Sequence, residues 1–146
     1  MHFLGILMNV SDIDRSLEFY REVFGITMLA RQDQLAVFNT GDSVHPQVII
    51  LRTLGTSSHR VGVGGGHVGM RALAFEVQSL EELERIATVL DRRSSLTTKR
   101  SGESWTAAFG RDPDRIAVIV ACSLTSQPLT LEAWANLDEI LYRVGE

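Results

Sequence analysis

Two stretches of the chain share one rhythm of apolar and polar positions. Ile6-Leu7-Met8-Asn9-Val10 is an apolar run, followed by Ser11, Asp12 and a segment in which Ile13, Leu17, Tyr20 and Phe24 recur at helical spacing. Leu73-Ala74-Phe75-Glu76-Val77 is the second run, followed by Gln78, Ser79 and a segment carrying Leu83, Ala87 and Leu90 in the same way. Val77 lies 67 residues after Val10. Each copy predicts a strand and then an amphipathic helix. Asp12 (or Ser11) should cap the first helix, because a short side-chain oxygen there accepts from exposed backbone N–H groups. Gly25 should end it just past Phe24. Ser79 should cap the second, with Glu82 three residues on completing a capping box.

The pattern then turns strand-like three times in each half. The first half has runs near 26–30, 34–40 and 47–53, with Gly41-Asp42-Ser43 and Pro46 as turn residues between the last two. The second has runs near 95–100, 103–110 and 115–122. Residues 54–69, rich in Gly and Ser, read as a linker between modules 1–58 and 68–125, which together make one domain, 1–125. Pro128 and Thr130 open a final helix in 126–146, with Trp134, Leu137 and Leu141 on one face, as core or dimer packing. Each module is thus strand, helix and three strands. The strand after a helix cannot be a simple hairpin partner of the strand before it, so each sheet should be mixed. The fold class is α+β: two βαβββ modules whose curved mixed sheet surrounds a cleft, plus a C-terminal helix.

Composition narrows the function classes. A chain of 146 residues buries roughly two thirds of its unfolded surface without staples. Net charge −4 with scattered Lys and Arg argues against a nucleic-acid surface, which needs a clustered basic face. Cys122 is the single cysteine, so no disulfide framework is expected, and a reducing cytoplasm is the simplest setting. The apolar start is too short to span a membrane and lacks a basic leader, so no membrane partner is expected.

The early segment VSDIDRSLEFYREVFG and the late segment FGRDPDRIAVIV, within residues 2–122, resemble the vicinal oxygen chelate superfamily of glyoxalases, extradiol dioxygenases and bleomycin-resistance proteins. The superfamily's usual Gly after Asp-Pro-Asp is Arg115 here. The resemblance implies a cleft whose metal ligands, in metal-using relatives, project from the first and last strands of each module. The first-strand His falls seven residues before the capping Asp, which is Gly5 in this chain, and three residues before the Phe of the second module, which is Ala72. The late Glu falls at Ile119, and the uniform 67-residue offset puts its first-module counterpart at Arg52. Arg has no lone pair to give a metal. The resemblance therefore implies a family metal site that has lost its ligands, and neither metal nor cofactor is expected.

Other residues offer themselves as rescue or replacement for that site. Strand alternation puts His2 with Ile6, Met8 and Val10 against the helix, and Gly5, Leu7 and Asn9 in the cleft. His45, His59 and His67 fall in turn or linker sequence, where exposed loop residues are the simpler reading than a metal cluster. Gly64-x-Gly66-x-x-Gly69 lacks the strand before and helix after that a dinucleotide fingerprint requires. Arg52 is either a bidentate anchor for a carboxylate or phosphate, or a strand-end Arg paired with a surface acid. Ala72, Ala74 and Glu76 share one parity; Glu76 is the candidate base, and water contact at the strand end is its plainer alternative. Trp105 shares a face with Ala107 and Phe109, as a stacking wall or as packing under a helix. Cys122 has core parity and reads as buried and inert.

The expected site is therefore Gly5, Leu7, Asn9, Arg52, Ala72, Ala74, Trp105 and Ile119 for ligand, with Glu76 as a catalytic candidate. The leading expectation is metal-independent binding of a small apolar or aromatic organic ligand, anionic or neutral, by a cytoplasmic homodimer. A metal-free isomerase, cyclase or lyase is the alternative, followed by a glyoxalase- or dioxygenase-type metal enzyme with relocated ligands.

Overall fold

The computed structural model describes residues 1, 3–41, 44, 47–53 and 70–145. His2, His45, His59, His67 and the glycine-rich segment 54–69 lie outside them. The chain divides into two units, Met1–Arg60 and Val61–Glu146.

In the first unit, β1 (Gly5–Val10) leads into α1 (Ile13–Phe24), then β2 (Thr27–Gln32), β3 (Leu35–Asn39) and β4 (Val48–Thr53). Asp12 caps α1 by accepting the Arg15 N–H at 3.1 Å. Gly25 ends the helix in the left-handed region, φ 64°, where a Cβ would be strained. The sheet order is β1-β4-β3-β2, with β1 and β4 parallel and the other pairs antiparallel. The mixed sheet expected from the strand-after-helix argument is thus present.

α1 buries Ile13, Ser16, Phe19, Tyr20 and Val23, while Leu17 and Phe24 are only half-buried. The inward stripe is therefore rotated from the expected one. Ser16 explains the difference: its small side chain sits wholly buried, and a count of apolar residues passes over it. Tyr20 is the anchor, with its ring 5.2 Å from Phe19 edge-on and 6.3 Å from Phe38 of β3. Fully burying one such aromatic contributes about 1.5–3 kcal/mol, so these three rings do much to fix the helix on its sheet. Met8, Val10, Ala36, Phe38, Ile49 and Leu51 complete this core.

The second unit repeats the plan. β5 (Ala72–Val77) and α2 (Leu80–Arg92) are followed by β6 (Leu96–Ser101), β7 (Trp105–Arg111), β8 (Ala117–Ser123) and the terminal α3 (Leu131–Gly145). The order is β5-β8-β7-β6, again with the first and last strands parallel. Ser79 caps α2 by accepting the Glu82 N–H at 3.2 Å. Leu83, Ile86, Ala87, Val89 and Leu90 are its buried side. A register irregularity falls at the same place in both units, between Met28 and Ala30 and between Leu96 and Thr98. Arg115, where the superfamily usually has Gly, has φ 70° in the β7–β8 turn. The Asp112 carboxylate holds that turn by accepting the backbone N–H groups of Asp114 and Ile116.

α3 lies on the sheet face opposite α2. Ala133 and Leu137 are buried in one cluster with Trp105, Ala107, Phe109, Ile119 and Ala121, and Ala72, Leu129, Ile140 and Leu141 pack on it. The helix stripe is thus 133-137-140-141, and Trp134 is 37% exposed rather than inward. Among the described residues, no helix is long and apolar enough to cross a membrane.

The Ser16 hydroxyl is buried with no hydrogen-bond partner among the described residues. An unsatisfied buried hydroxyl carries a desolvation penalty, so Ser16→Ala is expected to raise unfolding free energy by about 1 kcal/mol. Urea denaturation measures it, and a loss of stability would show that the hydroxyl has a partner.

Candidate functional site

Register fixes which side chains share the open face of the first sheet. α1 covers the side carrying Met8, Ile49, Leu51 and Phe38, so the alternate positions face away from it. They form three rows across the strands. Gly5, Val48, Asn39 and Thr27 make the first row, and Leu7, Ile50, Val37 and Ala30 the second. Asn9, Arg52, Leu35 and Gln32 make the third. The middle row is wholly apolar, and Leu7 is 75% exposed. The third row is polar apart from Leu35. Gly5, Leu7, Asn9 and Arg52 are therefore brought together on one face.

Arg52 is exposed and makes no hydrogen bond or ion pair among the described residues. The alternative of a strand-end Arg tied to a surface acid finds no such acid among them. Arg52 lines a hollow of about 570 Å³ with Gln32, Asp33, Gln34 and Leu35. The Thr53 N–H donates to the Gln34 carbonyl at 3.0 Å, which holds the end of β4 against the β2–β3 turn. Sequence reasoning passed over both Asp33 and Gln34: Asp33 fell between two strand-like runs as connection, and Gln34 read as the first residue of the run 34–40, whereas the two form the turn between β2 and β3. A second hollow lies on the α1 side, lined by Leu17, Ile26, Met28 and Phe38 among others, but its Asp14 is already paired with Arg31 at 3.0 Å.

The equivalent face of the second unit carries Ala72, Ala74, Glu76, Trp105 and Ile119. Trp105, Ile119 and, in part, Ala72 are covered by α3, so packing under a helix accounts for Trp105. Ala74 and Glu76 are exposed on β5, and Glu76 stands in water rather than in an apolar enclosure. Cys122 is buried; burial, then the charges of Glu76 and Glu82, push its thiol up from the usual range.

Register also corrects one equivalence. Sixty-seven residues separate Gly5 from Ala72, but 69 separate their parallel partners Val48 and Ala117. Ile119 therefore corresponds to Ile50, and Arg52 corresponds to Ala121. With Ile50 in place of Arg52, the four positions become Gly5, Ile50, Ala72 and Ile119, none with an N, O or S donor in its side chain. A divalent ion needs several such donors, and this set does not fit one. Among the described residues, no three His, Cys, Asp or Glu side chains stand close enough to hold a metal. Gly5 adds a steric bar. A Cβ there would lie 2.1 Å from the Val48 carbonyl oxygen and 2.6 Å from its side chain.

A family model described as the Glyoxalase/Bleomycin resistance protein/Dioxygenase superfamily matches residues 2–120. A lactoylglutathione lyase of Arabidopsis thaliana is 30% identical over 122 residues, covering 77% of this chain and 41% of that protein. A second curated relative, from Brassica oleracea, is 25% identical over 155 residues and is covered over 50% of its length. The chain thus spans about half or less of the curated relatives it matches. Among solved structures, a glyoxylase/bleomycin resistance protein/dioxygenase domain from Frankia is 20% identical with a TM-score of 0.67, covering 87% of this chain and 93% of that one. The lactoylglutathione lyase of Agrobacterium tumefaciens is 22% identical with a TM-score of 0.62, covering 83% and 92%. At these identities the structural likeness shows the fold.

The close approach of β1 to β4 makes Gly5→Ala costly. Forcing atoms into a filled space typically costs about 1–3 kcal/mol, and Gly5→Ala is expected to lose stability within or above that range. Urea denaturation checks it, and an unchanged midpoint would mean that the strand pair has room for a side chain.

Proposed function

The chain belongs to the glyoxalase/bleomycin resistance protein/dioxygenase superfamily, and from that membership we propose that it binds a small organic anion directly, without a metal. The observation that carries this reading is Arg52, without an ion-pair partner among the described residues, at one end of an apolar face whose inherited ligand positions lack donors. A guanidinium offers a planar fork of donors that matches a carboxylate bidentately. Next to it, Leu7, Ile50, Val37 and Ala30 would receive an aryl or acyl body. Asn9, Arg52's neighbour across the parallel pair, would orient the head group. Rows on one face of a strand lie about 6.5–7 Å apart, so head and body fit a ligand as short as a phenylpropanoate.

A second reading draws on the lactoylglutathione lyase named among the relatives. It is a metal-free lyase, isomerase or cyclase with Glu76 as base. A single-limb pH–rate profile abolished by Glu76→Gln would favour it.

The binding reading is tested with 3-phenylpropanoate and its neutral amide, followed by NMR titration. Arg52→Ala is expected to weaken the acid roughly five- to tenfold and the amide less than twofold, the modest size reflecting an exposed charge. Equal losses for both compounds would reject the anchor.

A further inference from the structure

The hollow beside Arg52 has a second charged wall. Asp33 lies in the two-residue turn between β2 and β3 and lines the same space, with Gln32 and Gln34 on either side of it. Its carboxylate, like the Arg52 guanidinium, makes no hydrogen bond or ion pair among the described residues. Opposite charges lining one hollow would ordinarily close on each other. Here the backbone fixes their roots apart. Leu35 pairs with both Arg52 and Gln32, so the guanidinium rises from β4 while Asp33 sits beyond the end of β2. The Thr53 to Gln34 hydrogen bond then locks the turn over the strand end. Among the described residues, two other places are candidates and neither carries this arrangement. The α1-side hollow has its Asp14 paired with Arg31, and on the equivalent face of the second sheet α3 packs over Trp105 and Ile119 and leaves only Ala74 and Glu76 of the expected site exposed.

We propose that the ligand of this hollow is amphoteric, a carboxylate with a cationic amine a few atoms away, as in an α-amino acid. This rests on the reading of Arg52 as the anion anchor. Arg52 takes the carboxylate, Asp33 takes the ammonium, and the Gln32 and Gln34 amides fill the space between as donors or acceptors. Asp33 also acts as a rejecting element. A plain carboxylate seated on Arg52 would leave a like charge facing it, so the turn selects against simple anions. Leu35, half-buried on the floor, would meet the ligand's apolar carbons.

The test compares L-phenylalanine with 3-phenylpropanoate, which differs by the ammonium alone, and with phenethylamine, which lacks the carboxylate. All three are titrated by NMR against the wild-type chain, Asp33→Asn and Arg52→Ala. The wild type is expected to bind L-phenylalanine at least about threefold tighter than 3-phenylpropanoate, and phenethylamine weakest, in line with the modest strength of exposed ion pairs. Asp33→Asn should weaken L-phenylalanine roughly two- to fivefold and leave 3-phenylpropanoate unchanged or tighter, erasing the preference. An unchanged preference in Asp33→Asn, or no binding of L-phenylalanine at millimolar concentration, overturns the inference. If Arg52→Ala leaves 3-phenylpropanoate binding intact, the anchor reading itself has failed, a distinct result from failure of the Asp33 role alone.

Discussion

The parallel pairing of β1 with β4 decides what the first unit can present. Because the first strand joins the last rather than the next, α1 must cross over the sheet and cover one face of it. Register along that pair then sets Gly5 beside Val48, Leu7 beside Ile50 and Asn9 beside Arg52. A one-residue slip would carry Arg52 under α1, where a lone cation has no solvent and no partner. The tight passage at Gly5, with the Val48 carbonyl where a Cβ would be, holds the pair together at its start. It also removes the place from which a coordinating side chain would project.

The two units show how one topology is put to different uses. Arg52 corresponds in register to Ala121, and Leu35 to Ala107. Small residues at those places in the second unit leave space that the α3 residues Ala133 and Leu137 fill within the same buried cluster. The equivalent positions of the first unit carry a guanidinium and a leucine, on a face where Leu7 is largely exposed. The chain thus satisfies one apolar sheet face with its own helix, tied at one end by the Arg71–Asp138 ion pair at 2.5 Å. The equivalent face of the first unit leaves Leu7, Asn9 and Arg52 exposed.

Much of this was legible in the chain itself. Period-two and period-3.6 patterning, Asp12 and Ser79 as caps, and Gly25 as terminator lead directly to two strand–helix modules with mixed sheets. Alternation placed Gly5, Leu7 and Asn9 on the open face, and the observed register adds Arg52 beside Asn9. What alternation could not supply was register across turns of unequal length. A uniform shift of 67 fails by the last strand, because the turns around β7 differ in length from those around β3. That is why Arg52 was matched to Ile119 when its true counterpart is Ala121. Helical periodicity likewise skipped Ser16, since a small polar residue can sit at a helix–sheet contact that apolar counting reserves for larger ones. The role of α3 was open from sequence, because an amphipathic stripe does not say which surface it will cover.

The central claim is that the open face holds an organic molecule through a cation and apolar side chains, with no ion between. Titration of chelator-stripped protein with 3-phenylpropanoate, with and without an equivalent of Zn²⁺ or Ni²⁺, tests this most directly. The account predicts the same dissociation constant in both conditions and no stoichiometric uptake of metal. Binding that appears only once the metal is added would contradict it.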